Sequence, residues 1–125
     1  RVPAVGVAGG MERMVYQMKK FKIKIPVPKQ PHVFLAQLGE MGRKKSVQLF
    51  EELSDKGIRV AEFLGKDSIK TQLRIASKMG VKYTLILGQK EALEENIILR
   101  DMESSIQEQF PVANIADEIK KRFKK

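Results

Sequence analysis

Two helix stops, each followed at once by strand-forming residues, do most to restrict how this chain can fold. Asp55-Lys56-Gly57-Ile58-Arg59-Val60 and Lys78-Met79-Gly80-Val81-Lys82-Tyr83 share one punctuation: an apolar helical stripe, a glycine suited to a left-handed cap, then a return to the core. Before the first stop, residues 41–56 read as a helix with Val47, Leu49, Phe50 and Leu53 on its apolar face. Before the second, Asp67 or Ser68 caps a helix whose Ile69, Leu73, Ala76 and Met79 line one side. His32 to Leu38 is almost continuously apolar, the mark of a central strand covered on both faces, and so implies a parallel sheet. Ile58–Leu64 and Tyr83–Leu87 are the second and third strands, which makes a two-step βαβαβ winding; two copies are too few for a solenoid.

The pattern then changes. Asn96–Arg100 and Ile106–Phe110 alternate around a polar turn at 102–105, which reads as an antiparallel hairpin. Asn114 starts a last helix, with Asp117 as a capping-box acid and Ile115, Ile119 and Phe123 facing inward. At the other end, residues 10–20 form a helix with Met11, Met14, Val15 and Met18 at core-face spacing. Pro26, Pro28 and Pro31 then hold Ile25, Val27 and Gln30 out of the helical region, so residues 21–31 read as an extended linker able to span about 30 Å. The expected division is 1–20, a linker at 21–31, and a domain at 32–125.

A chain of 125 residues with 42% hydrophobic content and no cysteine can bury one modest core without disulfides or a thiolate metal site. No run of ~18 apolar residues and no signal-like start exist, so a cytoplasmic protein with no membrane partner is expected. One histidine, His32, and no cysteine leave no catalytic constellation within 32–125 and no metal site. The net charge of +9, from 24 Lys+Arg against 15 Asp+Glu, favours a polyanionic partner, nucleic acid first. Its distribution sharpens this expectation, since Lys66, Lys70, Arg74 and Lys78 recur every four residues and form one basic stripe. Lys19, Lys20, Lys22, Lys24 and Lys29 crowd the linker, while the basic C-terminus suits a helix dipole and reads as structural.

Residues 3–15, Pro-Ala-Val-Gly-Val-Ala-Gly-Gly-Met-Glu-Arg-Met-Val, carry a glycine-rich turn into a helix with an arginine one turn in. Gly6, Gly9 and Gly10 allow close backbone approach to a nucleotide, and a guanidinium can stack on a base or fork onto a phosphate. The stretch resembles motif 3 of class II aminoacyl-tRNA synthetases, in its histidyl version, through Pro3, Ala4, Gly6, Ala8, Gly10, Glu12 and Arg13. From His32 on, Leu38-Gly39-Glu40, Glu52-Leu53, Gly57-Ile58-Arg59-Val60, Ser68-Ile69-Lys70-Thr71-Gln72-Leu73 with Ala76, Ile86-Leu87-Gly88 with Glu91, and Leu99-Arg100-Asp101 with Gln107 resemble, in order, the anticodon-binding domain of the same branch. Thr71 stands where that family has a basic residue, Arg100 where it has lysine, and Ser105 where the hairpin has glycine.

The resemblance implies a three-layer α/β fold, with a five-stranded mixed sheet of order 2-1-3-4-5 and three helices, preceded by a short strand and helix from a catalytic domain. It implies that Arg13 serves ATP catalytically with Gly10 and Glu12 beside it, and that ATP and Mg²⁺ belong to a longer parent, with none needed by these residues alone. The chain opens on Arg1 partway through the motif, so a piece of a longer polypeptide is expected, inactive alone. Its expected partners are the tRNA(His) anticodon loop, an upstream catalytic domain and a second copy in a homodimer. Glu40, Arg43, Lys66, Ser68, Lys70 and Arg74 are the candidate RNA contacts. A catalytically silent synthetase paralogue and a basic α/β module that binds protein stand as alternatives.

Overall fold

A computed structural model describes residues 2–26, 29–63, 65 and 68–124. Ten elements follow in order: α1 (Met11–Lys20), β1 (Val33–Gln37), α2 (Gly39–Asp55), β2 (Val60–Glu62), α3 (Ile69–Met79), β3 (Tyr83–Leu87), α4 (Gln89–Glu94), β4 (Asn96–Asp101), β5 (Gln107–Pro111) and α5 (Ile115–Phe123). The sheet order is β2-β1-β3-β4-β5, as expected. β1 lies parallel to both β2 and β3, while β4 runs antiparallel to its neighbours β3 and β5.

Every residue of β1 and β3 is buried, because helices cover both faces of the sheet. Val33, Leu35, Leu85, Leu87, Ile97 and Leu99 pack with Leu49 and Leu53 of α2 and Ile115 and Ile119 of α5. On the opposite face Phe34, Ala36 and Ile86 pack with Ala76 of α3, flanked by Ile69, Leu73 and Ile75. The alternation of side chains along each strand assigns odd residues of β1 to one layer and even residues to the other.

Local signals account for the element ends. Gly57 (φ +77°) and Gly80 (φ +69°) both adopt the left-handed conformation that stops α2 and α3. Ile58 N–H then donates to Leu53 O at 2.9 Å and drops Ile58 into the core. Ser68 caps α3 by accepting from Thr71 N–H at 3.3 Å; Asp67, the alternative cap, and Leu64 and Val27 lie outside the described residues.

Several expectations are corrected. Residues 2–10 form no strand and are exposed, and α1 buries none of its residues, so its methionine face is not a core face within this chain. The buried stripe of α2 is Gly42, Ser46, Leu49 and Leu53, which turns Val47 out to 51% exposure. The cause is close approach: a Cβ on Gly42 would sit 2.5 Å from Leu87 O, so small residues must face the sheet where α2 begins. Met79 of α3 and Phe123 of α5 are likewise exposed in part, and on α5 the buried residues are Ile115, Ala116 and Ile119. Asn114 makes no side-chain cap; a 3-10 turn at Val112–Asn114 leads into α5 instead. α4 was not foreseen; it is six residues long and starts where Glu91 carboxylate accepts from Gly88 N–H at 3.1 Å.

The hairpin closes at Ser105, a serine at φ +61° where glycine is the residue at ease. Asp101 compensates by accepting from Glu103 N–H and Ser104 N–H, each at 2.9 Å, and these bonds hold its carboxyl below the usual range. The basic C-terminus is structural in part, as expected, since Arg122 pairs with Glu118 at 2.8 Å and also with Glu108 of β5.

At the start of β1, His32 N–H donates to Arg59 O at 2.7 Å and its Nδ1 accepts from Arg59 N–H at 3.1 Å. The ring lies 5.0 Å from that of Phe123. Burial first, and then the Arg59 charge, push the His32 pKa below its ordinary value.

Replacing Gly42 by Ala should destabilise the fold by about 1–3 kcal/mol. Alanine is the better helix former by about 1 kcal/mol, but the obstructing atom is backbone and cannot rotate away. The urea midpoint should fall with no change in slope; a raised midpoint would contradict the close approach. His32 takes up a proton less readily folded than unfolded, so its contribution is complete above about pH 6.5 and is lost as pH falls through that value towards the lower folded pKa. The midpoint should drop between about pH 7.5 and about pH 5.5, and His32→Ala should abolish that part of the slope.

Candidate nucleic-acid interface

The β1–β2 crossover carries α2 on one face of the sheet and the β2–β3 crossover carries α3 on the other, so the chain reverses direction across β1. In open α/β sheets such a reversal opens a crevice beyond the carboxyl ends of the strands. Here Leu38 N–H donates to Leu87 O at 3.0 Å, which seats the start of α2 on the exit of β3. Gly39, at φ +78°, makes the turn and leaves space beside the Gln89 side chain.

Three candidate residues gather at this end. Glu40 is exposed in the first turn of α2. Arg43, one turn later, is half-buried, and its Nε is buried without a hydrogen-bond partner among the described residues. Ser68 is exposed at the head of α3, its hydroxyl 3.2 Å from that of Thr71. Lys70 and Arg74 are exposed along α3, with Lys78 continuing the line away from the strand ends. Lys66 lies outside the described residues. Arg13, Glu12 and Gly10 sit apart from this group at the start of α1, all three exposed, and α1 has no buried residue to fix it to the sheet.

The charge on α3 is of one sign, because Ile69–Met79 contains no acid. Among the described residues the ion pairs are Lys45–Glu95, Lys90–Glu94 and those of Arg122, and none involves Lys70, Arg74 or Lys78. The other helical layer mixes acids with bases, and Lys45, Lys90 and Arg122 are paired there. An unneutralised row of cations suits a polyanionic backbone, whereas an exposed carboxylate and a guanidinium at a strand end suit the edges of unpaired bases.

Two residues that the sequence expectation omitted organise this end of the sheet. β2 pairs only with Val33–Leu35, so beyond Leu35 the β2 side of β1 has no neighbouring strand among the described residues. The Gln72 carboxamide fills the gap: its Oε1 accepts from Gln37 N–H at 3.0 Å and its Nε2 donates to Gln37 O at 2.8 Å. Gln72 is 0% exposed and Gln37 4%. The Gln37 side chain in turn donates through Nε2 to Phe63 O at 3.3 Å and to Gly65 O at 3.5 Å. A further carboxylate, Glu62, ends β2, and burial pushes its pKa up. The signal for the glutamines was present in the sequence, since each interrupts an apolar row, but a polar residue in such a row does not name its partner.

Residues 32–122 match the family described as "Anticodon binding domain". The chain is 36% identical over 121 residues to a histidine–tRNA ligase of Dehalococcoides mccartyi, covering 97% of this chain and 29% of that protein. It is 37% identical over 124 residues to a histidine–tRNA ligase of Thermotoga maritima, covering 99% of this chain and 30% of that one. The chain thus spans less than a third of the length of these curated relatives. Among solved structures it is similar to histidyl-tRNA synthetase from Nostoc sp. PCC 7120, with a TM-score of 0.71 at 24% identity over 91% of this chain and 28% of the other. It is also similar to the RNA binding domain of threonyl-tRNA synthetase from Cryptosporidium parvum Iowa II, with a TM-score of 0.69 at 18% identity over 74% of this chain and 24% of that one. These two likenesses establish a shared fold. With the family match running from the first turn before β1 to the last turn of α5, the chain belongs to the anticodon binding domain family.

Proposed function

We propose that this chain reads the anticodon loop of tRNA(His) as part of a histidine–tRNA ligase, whose activity joins histidine to that tRNA at the expense of ATP. The observation that carries this reading is the acid-free basic face of α3, which begins at the same end of the sheet as Glu40, Arg43 and Ser68. Lys70 and Arg74 hold phosphates, with Lys66 ahead of them; Glu40, Arg43 and Ser68 meet base edges. The Nε of Arg43 supports its part, because a buried donor without a partner among the described residues is a donor available to a ligand.

Residues 1–20 close the catalytic domain in this reading, 21–31 are the linker, and 32–125 are the binding module. Arg13, with Gly10 and Glu12, serves ATP there, and Mg²⁺ accompanies the nucleotide. The exposed apolar face of α1 supports this assignment, since Met11, Met14 and Val15 all lie on the surface. The ligase acts as a homodimer in the cytoplasm; among the described residues no helix is long and apolar enough to cross a membrane.

The test is a titration of the 125-residue chain with the anticodon stem-loop at several salt concentrations. Changing Lys70 and Arg74 together to Ala should weaken binding almost equally for cognate and altered anticodons. Each lost phosphate contact should flatten the salt slope by about 0.7. Glu40→Gln should leave that slope intact and cost about 1–3 kcal/mol of discrimination between anticodons. An unchanged affinity after Lys70→Ala with Arg74→Ala, at low and moderate salt alike, would remove α3 from the interface and the reading with it.

A further inference from the structure

We infer that Gln37 is a positioning residue for anticodon discrimination, holding the two arms of the interface in register from one point at the end of β1. The inference rests on the function proposed above. One arm is the start of α2, with Glu40 and Arg43, and it follows Gln37 directly along the chain. The other is the segment after β2 that leads to Ser68 and Lys70, and the Gln37 side chain holds its carbonyls at Phe63 and Gly65. Gln72 closes the arrangement from α3 by bonding both backbone groups of Gln37. Each arm is therefore referenced to the same buried residue.

Phe63 and Gly65 are themselves constrained. Phe63 packs against the α3-side core, and a Cβ on Gly65 would lie 2.2 Å from the Phe63 ring, so no larger residue fits without displacing that ring. Polar contacts to base edges lose their directionality with displacements below an ångström, so the groups that fix their supports govern selectivity more than they govern attraction. Among the described residues Gln37 makes no hydrogen bond to Glu40, Arg43, Ser68, Lys70 or Arg74. Its effect is on the placement of the groups that meet base edges, while α3 stays clamped to the Gln37 backbone through Gln72.

The experiment compares the wild-type 125-residue chain with Gln37→Leu. Leucine fills similar space, leaves the Gln72 clamp on the Gln37 backbone in place, and cannot hold the carbonyls of Phe63 and Gly65. Each protein is titrated with a synthetic anticodon stem-loop bearing GUG, complementary to a histidine codon, and with the same stem-loop altered at one anticodon base. The cognate-to-altered affinity ratio should fall roughly tenfold, the scale of one lost base-edge contact. The salt slope for the cognate stem-loop should stay the same, because the phosphate contacts on α3 are not moved. A merely structural role would reduce both affinities in proportion; a ratio equal to that of the wild type overturns the inference. If Gln37→Leu does not fold, as a thermal melt would reveal, the unbranched Gln37→Met is judged by the same ratio. Failure of the wild-type chain to bind or discriminate would instead overturn the proposed function, and the positioning role with it.

Discussion

The structure depends on satisfying the backbone of β1 where its neighbour runs out. β1 is buried on both faces, so water cannot reach the Gln37 N–H and C=O once β2 has ended at Glu62. A buried backbone group without a partner costs about 1–3 kcal/mol, and here two lie on one residue. The Gln72 side chain answers both with a planar amide that presents an acceptor and a donor side by side, as a strand residue would. α3 is thereby tied to the strand through a polar contact as well as through Ala76 and its apolar neighbours. Helix, strand and the described residues after β2, Phe63 and Gly65, become one unit at the end of the sheet where the candidate interface lies.

That unit explains why the charge on α3 can be left without acids. Elsewhere three cations are neutralised locally: Lys45 meets Glu95, Lys90 meets Glu94, and Arg122 serves Glu118 and Glu108 to tie α5 to β5. Exposed pairs of this kind add little to stability, a few tenths of a kcal/mol to about 1 kcal/mol each. α3 has Ser68 and Gly80 to define its ends, so it needs no ion pairs along its length. Its row of Lys70, Arg74 and Lys78 carries a field that the fold does not consume, and a polyanion is what such a field attracts.

Much of the fold was legible because its signals are local. The helix-stop glycines, the doubly apolar strands and the alternating hairpin each act within a few residues, and β3 was recovered to the residue. The misses share a cause. Val47 was assigned to the core from periodicity, yet the helix is rotated by Gly42, whose closeness to Leu87 O joins residues far apart in sequence. Asn114 has the chemistry of a cap but follows a 3-10 turn that sets its backbone otherwise. α4 is too short to show a period, so no pattern announces it. The strand expected before α1 needs neighbours to pair with, and residues 2–10 find none among the described residues.

The candidate interface divides in the same way. Its charges and their spacing on α3 belong to the sequence, since a helix of known ends places residues four apart on one side wherever it packs. What the sequence could not supply is the meeting of Gln37 with Gln72, 35 positions apart, or the burial of the Arg43 Nε without a partner among the described residues. Both follow from the short reach of β2 and the close seating of α2, which are outcomes of packing. Propensity and periodicity are properties of a segment and can be read along it; register between segments is decided only when all the layers close on one core.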